Sequence, residues 1–142
     1  MRHLAELQGA VRATEEWIDD LQQRLGWHDR DRVYSALLAT LHALRDVLAQ
    51  KEAVYVGAQL PSLLRGLYYD GWHPSGRTPP RSQSAFIERI QDGVRRDPGI
   101  DAEQVARAVL ALLAARLPAG ELEDAKAATP KPLRNLEVKV LK

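Results

Sequence analysis

The chain has 142 residues, and its 20 Lys and Arg side chains nearly balance 19 Asp and Glu side chains, giving a net charge of +1. This balance argues against a protein whose main task is to grip a nucleic-acid backbone.

The sequence contains no cysteine, which excludes disulfides, thiolate catalysis and cysteine-based metal sites. Its N-terminus is charged rather than apolar, and no apolar run approaches the ~20 residues of a membrane span, so we expect a cytoplasmic protein without membrane contact.

One apolar stripe predicts that the chain begins with a long helix. Its members alternate between spacings of three and four, and they are Leu4, Leu7, Val11, Thr14, Ile18, Leu21 and Leu25. This spacing places them on one face of a helix, which Gly26 would end. Thr14 is followed by two glutamates and could instead cap a new helix, so a break near Ala13 is an alternative.

Three further helices are predicted in the first half of the chain. Asp29 or Asp31 would cap the second helix, whose apolar stripe runs over residues 33–48. A short third helix is expected at about residues 51–59. Pro61 is suited to the first turn of a fourth helix, which would end before Gly71.

The second half follows a similar plan after a segment rich in Gly and Pro. Ser82 or Ser84 would cap a helix that continues to about Arg95, and Asp101 would cap the next helix at residues 102–116. A short helix at residues 121–128 and a last one starting at Thr129-Pro130 complete the prediction.

The two halves align with each other, which indicates an internal duplication. Trp17 aligns with Phe86, Val33 with Val105, and Pro61 with Pro130. We therefore predict an all-α protein, with two tandem diverged copies of a roughly four-helix unit packed as one bundle-like domain. The units are a first repeat at 1–72, a linker at 73–83, a second repeat at 84–137 and a tail at 138–142.

Two stretches carry a family resemblance. RVYSALLATLHALRDVL and GAQLPSLLRGLYYDGWHPSG resemble the bacterial family called domain of unknown function 2267, and the similarity extends from about Thr14 to Leu136. The resemblance implies an all-helical fold in a prokaryotic protein. It brings no activity and therefore no catalytic residues.

The most distinctive segment is the end of the fourth predicted helix. Arg65, Tyr68, Tyr69, Trp72 and His73 are residue types that dominate binding hot spots, so they form the candidate binding site. Alternatively, the aromatic rings fasten the linker over the core with their polar tips in water. The second copy lacks these aromatic residues.

Two arginines occupy equivalent places, one turn into a helix that begins with proline. Arg65 and Arg134 would form structural ion pairs with Glu52 and Glu121, which are also equivalent to each other. Anion binding by the two arginines is the functional alternative.

No pattern in the sequence predicts catalysis, a cofactor or a metal site. The four histidines have no metal-ligand spacing, and His42, beside the apolar stripe of the second helix, is expected to be a hydrogen-bonded histidine of the core or its boundary. We find no nucleophile motif and no phosphate-binding loop. The expected function is a non-catalytic protein-interaction, regulatory or adaptor module, with a protein partner or a second copy as its target. The alternative is a helical nucleic-acid-binding module that uses the more basic second half.

Overall fold

The computed structural model describes residues 2–74 and 82–116. In these ranges the chain forms six α-helices and no strand, so the prediction of an all-α fold is confirmed. The helices are α1 (Arg2–Leu25), α2 (Arg30–Val47), α3 (Gln50–Gln59), α4 (Ser62–Tyr69), α5 (Gln83–Gly93) and α6 (Ala102–Arg116).

Short polar side chains define where the helices start. Asp29 accepts a hydrogen bond from the Arg32 N–H at 3.2 Å, and Ser82 accepts one from the Ala85 N–H at 3.1 Å. Asp101 caps α6 in the same way. These bonds satisfy N–H groups that have no partner inside the helix. Of the alternative caps in the sequence, the structure therefore uses Asp29 and Ser82.

The structure decides one open alternative, a break within α1, and corrects the end of α5. α1 has no break, because the Thr14 hydroxyl donates to the Ala10 carbonyl at 3.0 Å inside a continuous helix. α5 ends at Gly93 rather than near Arg95. Arg95 and Arg96 have φ angles of 57° and 52°, and an L-residue in this left-handed region cannot continue a right-handed helix.

Helix α2 is the centre of the fold and packs against the other five helices. A single hydrophobic core includes residues from all six helices, among them Trp17, Leu37, Tyr68, Phe86 and Val109. α2 and α5 are in close contact at Gly93, where an added Cβ would lie 2.7 Å from the Ala39 Cβ. Both predicted halves thus contribute to one core within the described residues.

The described parts of the two predicted repeats have similar burial patterns. Trp17 and its predicted equivalent Phe86 are buried, as are Leu21 and Ile90. The helices predicted after residue 116 and the tail lie outside the described residues, as does most of the linker. The duplication and the domain limits therefore remain predictions.

Candidate functional site

Arg65 binds the end of the preceding helix. Its Nε donates to the Gly57 carbonyl at 2.9 Å, and its Nη2 donates to the Leu60 carbonyl at 3.0 Å. The last carbonyls of a helix have no partner within it. Because α4 starts directly after α3, a side chain one turn into α4 is in reach of these carbonyls. Arg65 therefore joins α3 to α4.

The predicted ion pair between Arg65 and Glu52 is wrong. Glu52 lies in the first turn of α3, where its carboxylate accepts a hydrogen bond from the Ala49 N–H at 3.2 Å. Arg65 is bound at the other end of the same ten-residue helix, where Gly57 lies about 7.5 Å along the axis from Glu52 at 1.5 Å per residue. The equivalent pair, Arg134 and Glu121, lies outside the described residues.

Tyr68 is part of the core rather than of an exposed aromatic patch. Its side chain is fully buried, and its hydroxyl donates to the Ala53 carbonyl of α3 at 2.7 Å. The tip of this ring is therefore not in water, contrary to both interpretations of the aromatic segment. One signal for its burial was available in the sequence, because Tyr68 follows the buried Leu64 by four residues on the same helix face.

Tyr69 and Trp72 form a half-buried stack beside the core. Their ring centroids are 5.5 Å apart, and the Tyr69 hydroxyl lies 3.4 Å from the Val54 carbonyl. Tyr69 packs onto Gly57 so closely that an added Cβ there would lie 2.3 Å from its hydroxyl oxygen. His73 is exposed beyond this stack. The five predicted binding residues thus do not converge on one exposed surface.

Two side chains of α2 bind the C-terminal carbonyls of α4. The His42 Nε2 lies 2.7 Å from the Leu67 carbonyl oxygen. Arg45 donates to the carbonyls of Tyr68 at 3.0 Å and Asp70 at 2.8 Å. These contacts confirm the prediction of a hydrogen-bonded histidine at the edge of the core. They also place a cation where the helix dipole favours one.

Arg45 also belongs to a short charged network with Asp46 and Arg89. It is buried, and its Nε donates to the Asp46 carboxylate at 2.9 Å. The same carboxylate pairs with Arg89 of α5 at 3.3 Å. Helical periodicity does not predict that Arg45, Asp46 and Arg89 meet, because they lie on two different helices. The available signal was that Arg45 follows Leu41 by four residues, which places a charge on the apolar face of α2.

This network borders an open groove of about 400 Å³ between α2 and α5. The polar residues in its lining are Tyr34, Ser35, His42, Asp46, Arg89 and Asp92. The described ranges contain no group of three or more His, Asp or Glu side chains that could hold a metal ion. Asp46 and Arg89 are paired to each other in this lining, which also includes apolar side chains such as Leu38 and Ala43.

Burial raises the pKa of the Tyr68 hydroxyl above its usual value, and nearby Tyr69 raises it further. The folded protein therefore keeps this proton at a pH where the unfolded chain, with a tyrosine pKa of about 10, has lost it. The stability that Tyr68 contributes is present below pH 10. It is lost above pH 10, by up to about 1.4 kcal/mol per pH unit.

We expect Tyr68→Phe to isolate this effect. Near neutral pH the variant should be about 1 kcal/mol less stable than the native chain, because it lacks the hydrogen bond to Ala53. The difference should vanish within roughly one unit above pH 10, since phenylalanine has no proton to lose. Urea unfolding followed by circular dichroism at several pH values measures both chains. A constant difference through pH 11 would contradict the assignment.

Three of the five exposed large apolar side chains in the described ranges occur together on the first half of α1, and the other two are Val54 and Leu63. Leu4, Leu7 and Val11 are 58%, 63% and 48% exposed. We call these three residues the N-terminal stripe. Further along the same face, Thr14, Leu21 and Leu25 are buried in the body of the protein. The stripe was visible in the sequence, but its periodicity gave no reason to expect that half of it faces solvent.

Most arginines of the described second half pair with carboxylates. The pairs are Arg89 with Asp46, Arg96 with Asp92 and Glu88, and Arg107 with Glu103. Arg116 also binds across to Asp20 of α1 at 3.2 Å. Paired arginines offer less free positive charge to phosphate groups than a continuous basic face does. The nucleic-acid alternative remains a prediction that these contacts do not favour.

The fold and these contacts define a small all-helical protein. Arg65 and Tyr68 of α4 bind carbonyls of α3, and Arg45 of α2 binds carbonyls at the end of α4. The chain belongs to the DUF2267 family, described as an uncharacterized conserved protein, whose model matches residues 14–136. The family membership expected from the sequence is thereby confirmed. A search of curated proteins finds no match. Among the helices of the described ranges, none is long and apolar enough to cross a membrane.

Proposed function

We propose that this protein is a non-catalytic interaction module of regulatory or adaptor type, which binds its partner through the N-terminal stripe. The observation that carries this proposal is the exposure of Leu4, Leu7 and Val11 on one helix face. Clustered exposed apolar side chains are characteristic of interaction surfaces. A stripe with this spacing fits a partner that presents an apolar helix face of its own.

In this proposal the aromatic end of α4 stabilises the fold and does not itself contact the partner. Tyr68 is buried and Arg65 is bound to backbone carbonyls, so these two residues hold α4 in place. The second half of α1 is buried against the other helices, and the first half extends from it. An anchored helix presents its side chains at a lower entropic cost than an isolated peptide of the same length.

Site-specific photo-crosslinking in cells of the native host tests this proposal. A photoreactive amino acid at Leu7 should give a discrete adduct with a protein. The same group at Glu16, an exposed α1 position outside the stripe, should not. Adding Val11→Glu to the Leu7 probe should abolish the adduct, because it places a charge inside the contact. Equal labelling at both positions, or none at Leu7, would rule out this surface.

A further inference from the structure

Arg45 and Asp46 lie at the junction of three helices. Arg45 of α2 donates to the Tyr68 and Asp70 carbonyls at the end of α4, and the Asp46 carboxylate pairs with Arg89 of α5 at 3.3 Å. The two neighbours also bind each other, Nε to Oδ1, at 2.9 Å. A continuous chain of polar contacts therefore runs from the backbone of α4 through α2 to α5, and so from the first predicted repeat to the second.

Asp46 is the central member of this charged network. Its Oδ2 accepts from both arginines, from Nη2 of Arg45 and from Nη1 of Arg89, each at 3.3 Å. Residues that are adjacent in a helix do not face each other, so helix geometry alone does not hold Asp46 against Arg45. The second cation, on α5, restricts the carboxylate to an orientation that both arginines reach, and ordering a side chain in this way otherwise costs conformational entropy.

Exposure falls along the network from its α5 end to its α4 end. The side chains of Arg89, Asp46 and Arg45 are 35%, 27% and 7% exposed. Water screens the ion pair at the Arg89 end, whereas buried charges such as Arg45 are screened much less. A change in the position of α5 thus acts on a solvent-accessible contact, and its consequence falls on the buried arginine that binds α4.

We propose that Asp46 couples the attachment of α4 to the docking of α5 on α2. Arg89 is a positioning residue in this device, because it orients Asp46, which in turn orders the Arg45 guanidinium that binds the carbonyls of α4. When α5 moves away from α2, Asp46 loses one of its two cations and the end of α4 opens more often. The coupling is independent of the partner proposed for the N-terminal stripe, because none of its members lies on α1.

Hydrogen exchange of backbone amides, followed by NMR on the purified full chain, measures this coupling. The Asp70 and Trp72 amides each donate to a carbonyl of α4, so they exchange when the end of this helix opens. Arg89→Met should speed the exchange of both by about two- to fivefold, the range expected for a solvent-screened ion pair. The Gly26 amide, which is hydrogen-bonded at the end of α1, should keep its rate.

Two further variants separate the coupling from a general loss of stability. Arg96→Met removes a cation that pairs with carboxylates of α5 itself rather than of α2, so the amides at the end of α4 should exchange at their native rates. An Asp46→Asn background already lacks the shared carboxylate. Arg89→Met should therefore produce no further acceleration there, since two changes in one network are not additive.

Any of three results would overturn the proposal. Arg89→Met could leave the Asp70 and Trp72 amides at their native rates, in which case α5 does not influence the end of α4. Arg96→Met could speed these amides as much as Arg89→Met does, which would show an ordinary destabilisation of α5. An undiminished effect of Arg89→Met in the Asp46→Asn background would mean that the coupling bypasses Asp46.

Discussion

Tyr68→Ala is expected to lower the free energy of unfolding by about 3–5 kcal/mol, the usual cost of removing a buried aromatic side chain. The ring is fully buried and its hydroxyl binds the Ala53 carbonyl. The substitution therefore creates a cavity and also leaves a carbonyl of α3 without that partner. A loss of this size is a large fraction of the 5–15 kcal/mol that stabilises a typical domain. Urea or thermal unfolding followed by circular dichroism measures it.

The neighbouring tyrosine provides a control for this substitution. Tyr69 is half-buried at the surface, and its hydroxyl lies at the longer distance of 3.4 Å from the Val54 carbonyl. Tyr69→Ala removes the same atoms but should cost roughly half as much as Tyr68→Ala or less, since the cost follows burial. If both variants lose little stability, Tyr68 does not hold α4 on the core and a role for it in binding regains support.

The helices could be predicted from sequence because their signals are local. The stripe of α2, the aspartate before it and Pro61 at the start of α4 each act within a few residues of where they stand. Helix caps and apolar periodicity depend on the geometry of a single helix. For this reason α6 was predicted with its observed limits at 102–116.

The candidate site could not be predicted in the same way, because its contacts join different helices. That Arg65 would bind the end of α3 rather than Glu52 depends on the direction in which α4 leaves α3. The pairing of Asp46 with Arg89 spans α2 and α5, which are separated by two other helices in sequence. Spacing along the chain defines the face on which a side chain lies but does not identify what faces it.

The N-terminal stripe also shows that periodicity within one helix does not reveal which of its turns are covered by other helices. Leu4 and Leu21 belong to one uninterrupted pattern, yet Leu4 is exposed and Leu21 is completely buried. The pattern predicted the helix and its apolar face, as it should for any amphipathic helix. Whether a neighbour covers each turn depends on the lengths of the helices packed against α1, which periodicity in α1 does not contain. Where the body of the protein ends, the same pattern continues as an exposed apolar face.

Arg45→Met is expected to lower the free energy of unfolding by about 3 kcal/mol, although methionine fills much of the same volume. Arg45 is buried, and its guanidinium satisfies the carbonyls of Tyr68 and Asp70 as well as the Asp46 carboxylate. Removing it leaves the buried Tyr68 carbonyl and the partly buried Asp70 carbonyl without this donor. Leaving a buried acceptor unpaired costs more than the net value of the bond itself.

Arg89→Met is the matched control for this substitution, because Arg89 binds the same Asp46 carboxylate from a more exposed position on α5. Its loss should cost at most about 1 kcal/mol, as for other solvent-screened ion pairs. Denaturant unfolding of both variants compares them directly. A large loss for Arg45→Met with a small one for Arg89→Met would show that the network stabilises the fold through the backbone of α4. Equal losses would instead show that the network contributes to the free energy of unfolding through its ion pairs with Asp46. The attachment of α4 to α2 would then depend mainly on apolar packing.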